Sequence, residues 1–247
     1  MNATRGELWW LRAGTASIWL LTALGVLHPY YREVGHAYLA QLGLPDALMW
    51  LACAGELALA LIILTVRPAT WLMAAQVAGV AFFTLVLGAL EPMLLVHPYG
   101  VLSKNYPFVA LVVTTWLVSR EGWSARATWW LRGGMALVWV TEGLFPKVFF
   151  QQPLELAVVA GAGVPMSPGV FLLLLGVAQA ASGVLAVVLK GPLLRALVAF
   201  QAASLIILPL AVSWQDPTLW FHPFGPMTKN VPILFGTLLV VHRLGRR

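Results

Sequence analysis

The chain has 247 residues, of which 60% are hydrophobic and only 10% are charged, and its mean hydropathy is +0.85. An ordinary soluble domain is about 25% charged, so the composition excludes that class, and a single cysteine, Cys53, excludes a disulfide scaffold. The net charge of +6 does not indicate nucleic-acid binding, because too little polar surface is available to carry a basic patch. The class that remains is a membrane protein whose Lys and Arg side chains contact anionic lipid at helix ends, with the lipid bilayer as its partner.

Eight apolar runs separated by polar breaks predict eight transmembrane helices, since one span needs about 20 residues. In chain order, the predicted spans cover residues 8–27, 47–66, 69–90, 105–119, 127–147, 168–189, 193–212 and 230–243. The first run could be mistaken for a secretory signal. However, no small-residue cleavage site follows it, and a close copy of it recurs in the middle of the chain.

The distribution of cations predicts the orientation of these spans. If the N-terminus is cytoplasmic, 11 of the 15 lysines and arginines fall on the cytoplasmic side and 4 on the outer side. The positive-inside rule then places both termini in the cytoplasm, in a multi-pass protein of the cell membrane. The four outer cations are Arg32, Lys104, Lys147 and Lys229.

The sequence contains an internal duplication. Residues 8–14, Leu-Trp-Trp-Leu-Arg-Ala-Gly, recur 120 positions later as Thr-Trp-Trp-Leu-Arg-Gly-Gly at 128–134. The offset grows to 123 in the second span of each half and to 125 from the third span onward, so two short insertions separate the copies. The clearest pair is His-Pro-Tyr-Gly at 97–100 with Lys-Asn-Tyr-Pro at 104–107, copied as His-Pro-Phe-Gly at 222–225 with Lys-Asn-Val-Pro at 229–232.

Each half holds four predicted spans, and an even number means that both halves insert with the same orientation. We therefore predict an all-α polytopic membrane protein with eight transmembrane helices. It would form two parallel four-helix bundles, residues 1–122 and 123–247, related by a pseudo-twofold axis along the membrane normal. The semi-apolar segments 30–45 and 149–165 are expected to lie on the outer membrane surface.

Three features of the second half carry a resemblance to a known family. They are the run Trp-Val-Thr-Glu-Gly-Leu-Phe-Pro-Lys at 139–147, Glu155, and the closing segment 222–232. With these, the second half resembles the DoxX-like family of small four-helix membrane proteins. The first half is similar to a diverged copy, in which Thr22 and Leu27 stand where that run has its glutamate and its lysine. The family includes the small subunit of a thiosulfate:quinone oxidoreductase, so the resemblance implies a membrane subunit linked to redox chemistry.

The Lys-Asn-x-Pro motif predicts the start of a helix at the outer interface in each half. Asn105 and Asn230 are typical N-caps, and the proline two residues later falls in the first turn, where its missing N–H costs nothing. A cation beside the positive end of a helix is unfavourable, so this interpretation leaves Lys104 and Lys229 unexplained. The lysines could snorkel to headgroups, pair with a carboxylate, or help the helix N-terminus hold an anionic ligand group, which is the functional hypothesis.

Four of the five histidines fall on the predicted outer side. Four imidazoles near one surface could bind a metal ion or a haem. No carboxylate lies at a telling spacing from them, so a turn histidine bonded to the backbone is favoured and no metal site is predicted. The four histidines are His28, His36, His97 and His222.

Two glutamates fall inside predicted spans, Glu56 and Glu142. Burying a charge in hydrocarbon costs at least about 2.5 kcal/mol, so such residues face a bundle interior or a wet cavity. Pro146 cannot bond to the carbonyl of Glu142 and is expected to kink the helix there. We expect a polar pocket at this point, open toward the outer leaflet, with Glu142 bonded to Lys147, to Lys229 or to a ligand. A closed ion pair that only joins two helices is the alternative.

The leading functional hypothesis is a quinone-associated or redox-linked membrane subunit. The chain has no Gly-rich phosphate loop, CxxC, HExxH or GxSxG motif, so a redox role would need a partner subunit, with quinone as the one suggested cofactor. Two alternatives stay open: binding or transport of a small anion or lipid headgroup, and a structural module that binds a partner. The candidate ligand-binding residues are Glu142, Lys147, His222, Lys229, Asn230, His97, Lys104, Asn105 and Glu56.

Overall fold

A computed structural model describes residues 3–244 as a helical fold, and each of the eight predicted spans coincides with an α-helix. Two further helices, α2 and α7, lie in the segments 30–45 and 149–165. Arg246 and Arg247, which the orientation argument placed in the cytoplasm, lie outside the described residues. The helices are α1 (Arg5–Gly25), α2 (Pro29–Gln41), α3 (Ala47–Thr65), α4 (Thr70–Leu90), α5 (Asn105–Glu121), α6 (Ala125–Leu144), α7 (Pro153–Gly161), α8 (Pro168–Val188), α9 (Gly191–Gln215) and α10 (Asn230–Leu244).

Proline and glycine define the two short helices, α2 and α7. They begin at Pro29 and Pro153, whose fixed φ suits the first turn of a helix. Gly43 and Gly163 follow the ends of the same helices, each with a φ of +66°. Glycine adopts this left-handed conformation without strain, and the conformation stops a helix. Because α1 and α2 meet at 88°, α2 runs across the end of α1 instead of extending it.

The long helices form an inner set and an outer set. The inner helices α1, α5, α6 and α10 contribute most of the main core, where Leu11, Leu111, Leu131 and Ile233 are fully buried. Each outer helix packs on an inner one: α3 on α1, α4 on α5, α8 on α6, and α9 on α10.

Only the outer helices are apolar enough to be recognised as spans by themselves. Among the described residues, four helices pass as candidate membrane spans by length and composition, namely α3, α4, α8 and α9, and the bent pair α1 and α2 would make a fifth. The inner helices are less apolar on average than the outer ones, as is expected of helices that contact mainly protein.

The same helix-end contact occurs in both halves. Nη2 of Arg12 donates to the carbonyl of Val66, just after α3, at 3.0 Å. Nη2 of Arg132 donates to the carbonyl of Leu189, just after α8, at 2.5 Å. The two arginines are 120 positions apart and the two acceptors 123. Each half therefore satisfies the free carbonyls at the end of its second long helix in the same way.

Contacts between the halves also recur at the repeat offsets. A Cβ atom added to Gly14 of α1 would lie 2.8 Å from the Cβ of Phe235 in α10. One added to Gly134 of α6 would lie 2.1 Å from the Cβ of Ala110 in α5. Gly14 and Gly134 are equivalent, as are Ala110 and Phe235. Each half therefore lays its first helix closely against the last helix of the other half.

Several helix ends that were predicted to be cytoplasmic lie together at one end of the bundle. Nη1 of Arg243, near the end of α10, lies 2.9 Å from Oε1 of Glu7, near the start of α1. The guanidinium of Arg243 also lies 4.0 Å from the ring centroid of Trp123, between the two halves. Arg12, which contacts the residue after α3, also lies in the N-terminal half of α1.

Candidate functional site

Lys104 and Lys229 cross between the halves immediately before α5 and α10. Nζ of Lys104 donates to the carbonyls of Tyr99 at 2.7 Å and Pro226 at 2.8 Å. Nζ of Lys229 donates to the carbonyl of Val101. Pro226 and Lys229 follow Val101 and Lys104 by 125 positions. Each lysine therefore reaches the loop of the other half through an equivalent bond.

Each crossing lysine faces a carboxylate of the opposite half. Glu142 of α6 interacts electrostatically with Lys104, and Glu56 of α3 interacts with Lys229. Burial lowers the pKa of Lys104 to about 8 and the pKa of Lys229 to about 7. The sequence analysis left three partners open for these lysines, namely lipid headgroups, a carboxylate or an anionic ligand group. In the structure, main-chain carbonyls and glutamates already surround them.

His97 and His222 lie in matching turns before these lysines. Nδ1 of each accepts the main-chain N–H two residues on, from Tyr99 at 3.3 Å and from Phe224 at 3.2 Å. Burial, together with neighbouring positive or ionisable groups, lowers the pKa of each imidazole to about 4. The backbone-bonded turn histidine is therefore the arrangement found. Within residues 3–244, no group of three His, Cys, Asp or Glu is placed to hold a metal ion.

Asn105 does not cap its helix, so the N-cap prediction is wrong for this residue. α5 begins at Asn105 itself, and no side chain caps it. Nδ2 of Asn105 donates to Oγ1 of Thr84 in α4 at 2.8 Å. The amide thus joins α5 to α4, the outer helix packed on it.

The sequence analysis expected Glu142 to bond to Lys147, to Lys229 or to a ligand. In the structure, the carboxylate of Glu142 is hydrogen-bonded to neither lysine. Oγ of Ser103, from the loop of the first half, donates to Oε1 of Glu142. Lys147 instead pairs with Glu155 of α7, with Nζ 3.0 Å from Oε1. Both members of this pair are buried, at 5% and 8% exposure. Burial raises the pKa of Glu155, and the charge of Lys147 opposes that rise.

The predicted break at Pro146 takes the form of a change in helix type. α6 ends at Leu144 and continues as a π-helical turn over Phe145–Phe149. Pro146 has no N–H to offer the carbonyl of Glu142. Nζ of Lys147 donates to that carbonyl at 3.2 Å, so the lysine takes the place of the missing amide.

A cavity of about 200 Å³ lies in the second half, between α6, α8 and α9. α7 and the loop before α5 contribute to its wall, so the first half supplies Lys104, Tyr99 and Pro98. Most of the lining is aliphatic. The lining residues with polar side-chain atoms are Tyr99, Lys104, Trp139, Glu142, Lys147, Glu155, Gln179, Ser204 and Asn230.

Three buried polar atoms of this lining have no hydrogen-bond partner among the described residues: Nε1 of Trp139, Oε2 of Glu155 and Oε1 of Gln179. Buried polar groups are nearly always bonded, and leaving one unpaired costs about 1–3 kcal/mol. Two acceptors and one donor therefore line an otherwise apolar space. This arrangement suits a ligand with an apolar body and polar atoms on it.

The structure brings together only part of the predicted site. Glu142, Lys147, Lys104 and Asn230 line the cavity. The predicted residues that do not line it are His222, Lys229, His97, Asn105 and Glu56.

Sequence reasoning missed Trp139 and Gln179 as lining residues. The duplication points to both positions. Gln179 is the repeat equivalent of Glu56, and Trp139 is the repeat equivalent of Trp19. Glu155 was noted only for the family resemblance. Nothing in the sequence indicated that it pairs with Lys147.

A family model matches the chain in two segments, residues 16–113 and 136–238, and its description is the DoxX-like family. Together the segments cover well over half of the chain, one in each repeat. No curated protein and no solved structure matches the chain significantly.

Proposed function

The chain belongs to the DoxX-like family of membrane proteins, and on that premise we propose that it is a quinone-binding, redox-linked membrane subunit. The ligand occupies the cavity of the second half. The observation that carries the proposal is the set of unpartnered polar atoms on Trp139, Glu155 and Gln179, inside a mainly aliphatic wall. A quinone or quinol headgroup is a small apolar ring whose oxygens accept or donate hydrogen bonds, which is what such a wall requires.

The charges around the cavity favour a neutral ligand over an anion. Two lysines and two glutamates line it, and Lys147 is paired with Glu155 at 3.0 Å. Lys104 donates to two main-chain carbonyls and faces Glu142. An anion would therefore be buried without an uncompensated cation, and the desolvation of its charge would not be offset. This is why we rank the small-anion function second.

The size of the cavity supports a headgroup rather than a large substrate. Pockets for drug-sized molecules take about 300–1,000 Å³, and this one holds about 200 Å³. The chain has no nucleotide or flavin motif, so the proposed electron donor is a separate subunit.

The purified protein in lipid nanodiscs is expected to bind short-tailed benzoquinones or naphthoquinones, measured by titration calorimetry. L208W would place an indole in the cavity and weaken binding by at least about tenfold, or 1.4 kcal/mol. L210W is the matched control, because Leu210 is exposed on the same helix and does not line the cavity. If no quinone binds, or if L208W binds like the wild type, the proposal fails. Binding of sulfate or thiosulfate instead would favour the anion function.

We further propose that the eight long helices all cross the cell membrane, with both termini cytoplasmic. Residues 1–122 and 123–247 would then be repeats related by a pseudo-twofold axis along the membrane normal. The equivalent bonds of Lys104 and Lys229, and of Arg12 and Arg132, support this relation. The 11-to-4 cation distribution supports the orientation.

Cysteine labelling on intact cells tests this topology, with C53S as the background. We expect a membrane-impermeant maleimide to label M166C in the loop before α8 and to leave K190C unlabelled. Both positions are exposed in the structure. Labelling of K190C alone would reverse the orientation, and labelling of both would contradict the span count.

A further inference from the structure

We propose that Trp139 and Asn230 select the ligand by donating hydrogen bonds to two of its acceptor atoms. Ser182 and Pro209 would be positioning residues that keep these two donors free. This inference rests on the proposed function, because it concerns the ligand of the same cavity. It comes from comparing each donor with its equivalent in the first half, where the equivalent donor has a partner inside the protein.

The indole of Trp139 has lost the partner that its equivalent keeps. In the first half, Nε1 of Trp19 donates to Oε1 of Gln76 at 3.4 Å. In the second half, the equivalent glutamine, Gln201, donates to the carbonyl and the hydroxyl of Ser182, both at 3.2 Å. Nε1 of Trp139 is left without a partner among the described residues.

A replacement between the repeats removes one of the two acceptors that hold Gln201, the hydroxyl of Ser182. The equivalent of Ser182 is Leu59, 123 positions earlier, and a leucine side chain offers no hydroxyl to a glutamine. Ser182 does not line the cavity. Its hydroxyl accepts from Gln201 and donates to the main-chain carbonyl of Gln179 at 2.8 Å, so any effect of Ser182 on the ligand is indirect.

The amide of Asn230 shows the same loss. Its equivalent, Asn105, donates from Nδ2 to Oγ1 of Thr84 at 2.8 Å. The equivalent of Thr84 is Pro209, 125 positions later, which has no hydroxyl. No side-chain hydrogen bond joins Asn230 to any residue in the described part of the chain, and both Asn230 and Pro209 line the cavity.

Two independent replacements have thus released two N–H donors toward one space. A buried N–H site discriminates strongly against a ligand that lacks the matching acceptor, because the donor is then left unpaired. The occupant is therefore a ring with two acceptor oxygens, and a ring with one oxygen would bind more weakly. Oε2 of Glu155 and Oε1 of Gln179 remain to accept from the ligand when it carries hydroxyl groups.

Restoring the first-half residues is the test. In S182L, we expect Gln201 to turn toward Trp139 and the affinity for a short-tailed naphthoquinone to fall about tenfold, as for the loss of one buried bond. In P209T, we expect a similar loss, because the new hydroxyl accepts from Asn230. The wild type is expected to prefer the naphthoquinone over the matching single-ketone ring, and each variant is expected to lose most of that preference.

A control variant in the first half separates this role from a structural one. L59S makes the reverse change at the repeat equivalent of Ser182, away from the cavity, and is expected to leave binding unchanged. The indole N–H resonance of Trp139, assigned by its absence in W139F, is expected to shift in S182L without any ligand present.

The outcomes distinguish this inference from the proposed function. If the wild type binds no quinone, the proposed function fails and this inference fails with it. If the wild type binds but S182L and P209T bind equally well with unchanged preference, only the inference is overturned. An unmoved Trp139 resonance in S182L would also overturn the role of Ser182.

Discussion

Replacing Lys147 with methionine is expected to destabilise the folded protein by about 3–5 kcal/mol, the range for breaking a buried ion pair from one side. Lys147 and Glu155 are both buried, with 3.0 Å between Nζ and Oε1. Without the lysine, Glu155 keeps a buried charge and the carbonyl of Glu142 loses its donor. Denaturant unfolding in detergent micelles, compared with the wild type, measures the loss.

The pH dependence of K147M should show the same cause. Burial raises the pKa of Glu155, and the loss of Lys147 would raise it further, so the folded state binds a proton more readily than the unfolded state. Stability is then lost as the pH rises through that pKa. The difference between K147M and the wild type should therefore be larger at pH 8 than at pH 5.

The double variant K147M/E155L is the control for the ion pair. Replacing both charges with apolar groups is often neutral, because no charge stays buried without a partner. We expect the double variant to recover most of the stability that K147M loses. If it is as unstable as K147M, the loss comes from packing around Lys147 and the ion-pair explanation is wrong.

Adding a methyl group to Gly143 is expected to cost about 1–3 kcal/mol, the usual range for overpacking. A Cβ there would lie 2.5 Å from the carbonyl oxygen of Gly176 and 2.7 Å from the main-chain N of Ala180. These atoms belong to the backbone of α8, so relief requires α6 and α8 to move apart. Because Gly176 also lies against Lys147, G143A should also weaken the proposed quinone binding.

G55A is the matched control, since Gly55 also lies inside a long helix, α3. A Cβ at Gly55 would have no atom within 4 Å. Alanine favours a helix over glycine, so G55A is expected to be neutral or to stabilise the protein by about 0.4–1 kcal/mol. Thermal unfolding of both variants in the same detergent gives the comparison. Equal losses in G143A and G55A would contradict the close crossing of α6 and α8.

The positions of the helices could be predicted closely from the sequence. Long apolar runs and prolines at helix starts act locally, and they marked each of the eight long helices. Among the described residues, length and composition mark α3, α4, α8 and α9 as candidate spans, with the bent pair α1 and α2 as a fifth. For the inner helices, the apolar runs are supported by the duplication, for example at residues 8–14 and 128–134.

The partners of the charged residues could not be predicted in this way. Helical periodicity indicates which residues share a face, but it does not indicate which other helix that face meets. Glu142 was expected to bond to Lys147, five residues later, to Lys229 or to a ligand. The structure places Glu155 of α7 beside Lys147, since α7 begins at Pro153, shortly after the π-helical turn at Phe145–Phe149 that holds this lysine.

The sequence by itself determined the class of protein, the helices and the duplication, because these follow from composition, local propensity and self-similarity. Only the tertiary structure decided that the first half completes the cavity of the second, with Lys104 beside Glu142. It also decided that Nε1 of Trp139 and Oε1 of Gln179 face that cavity with no hydrogen-bond partner among the described residues. Burial and hydrogen bonding depend on which side chains of separate helices come into contact, and the close crossings of α1 with α10 and of α5 with α6 set those contacts.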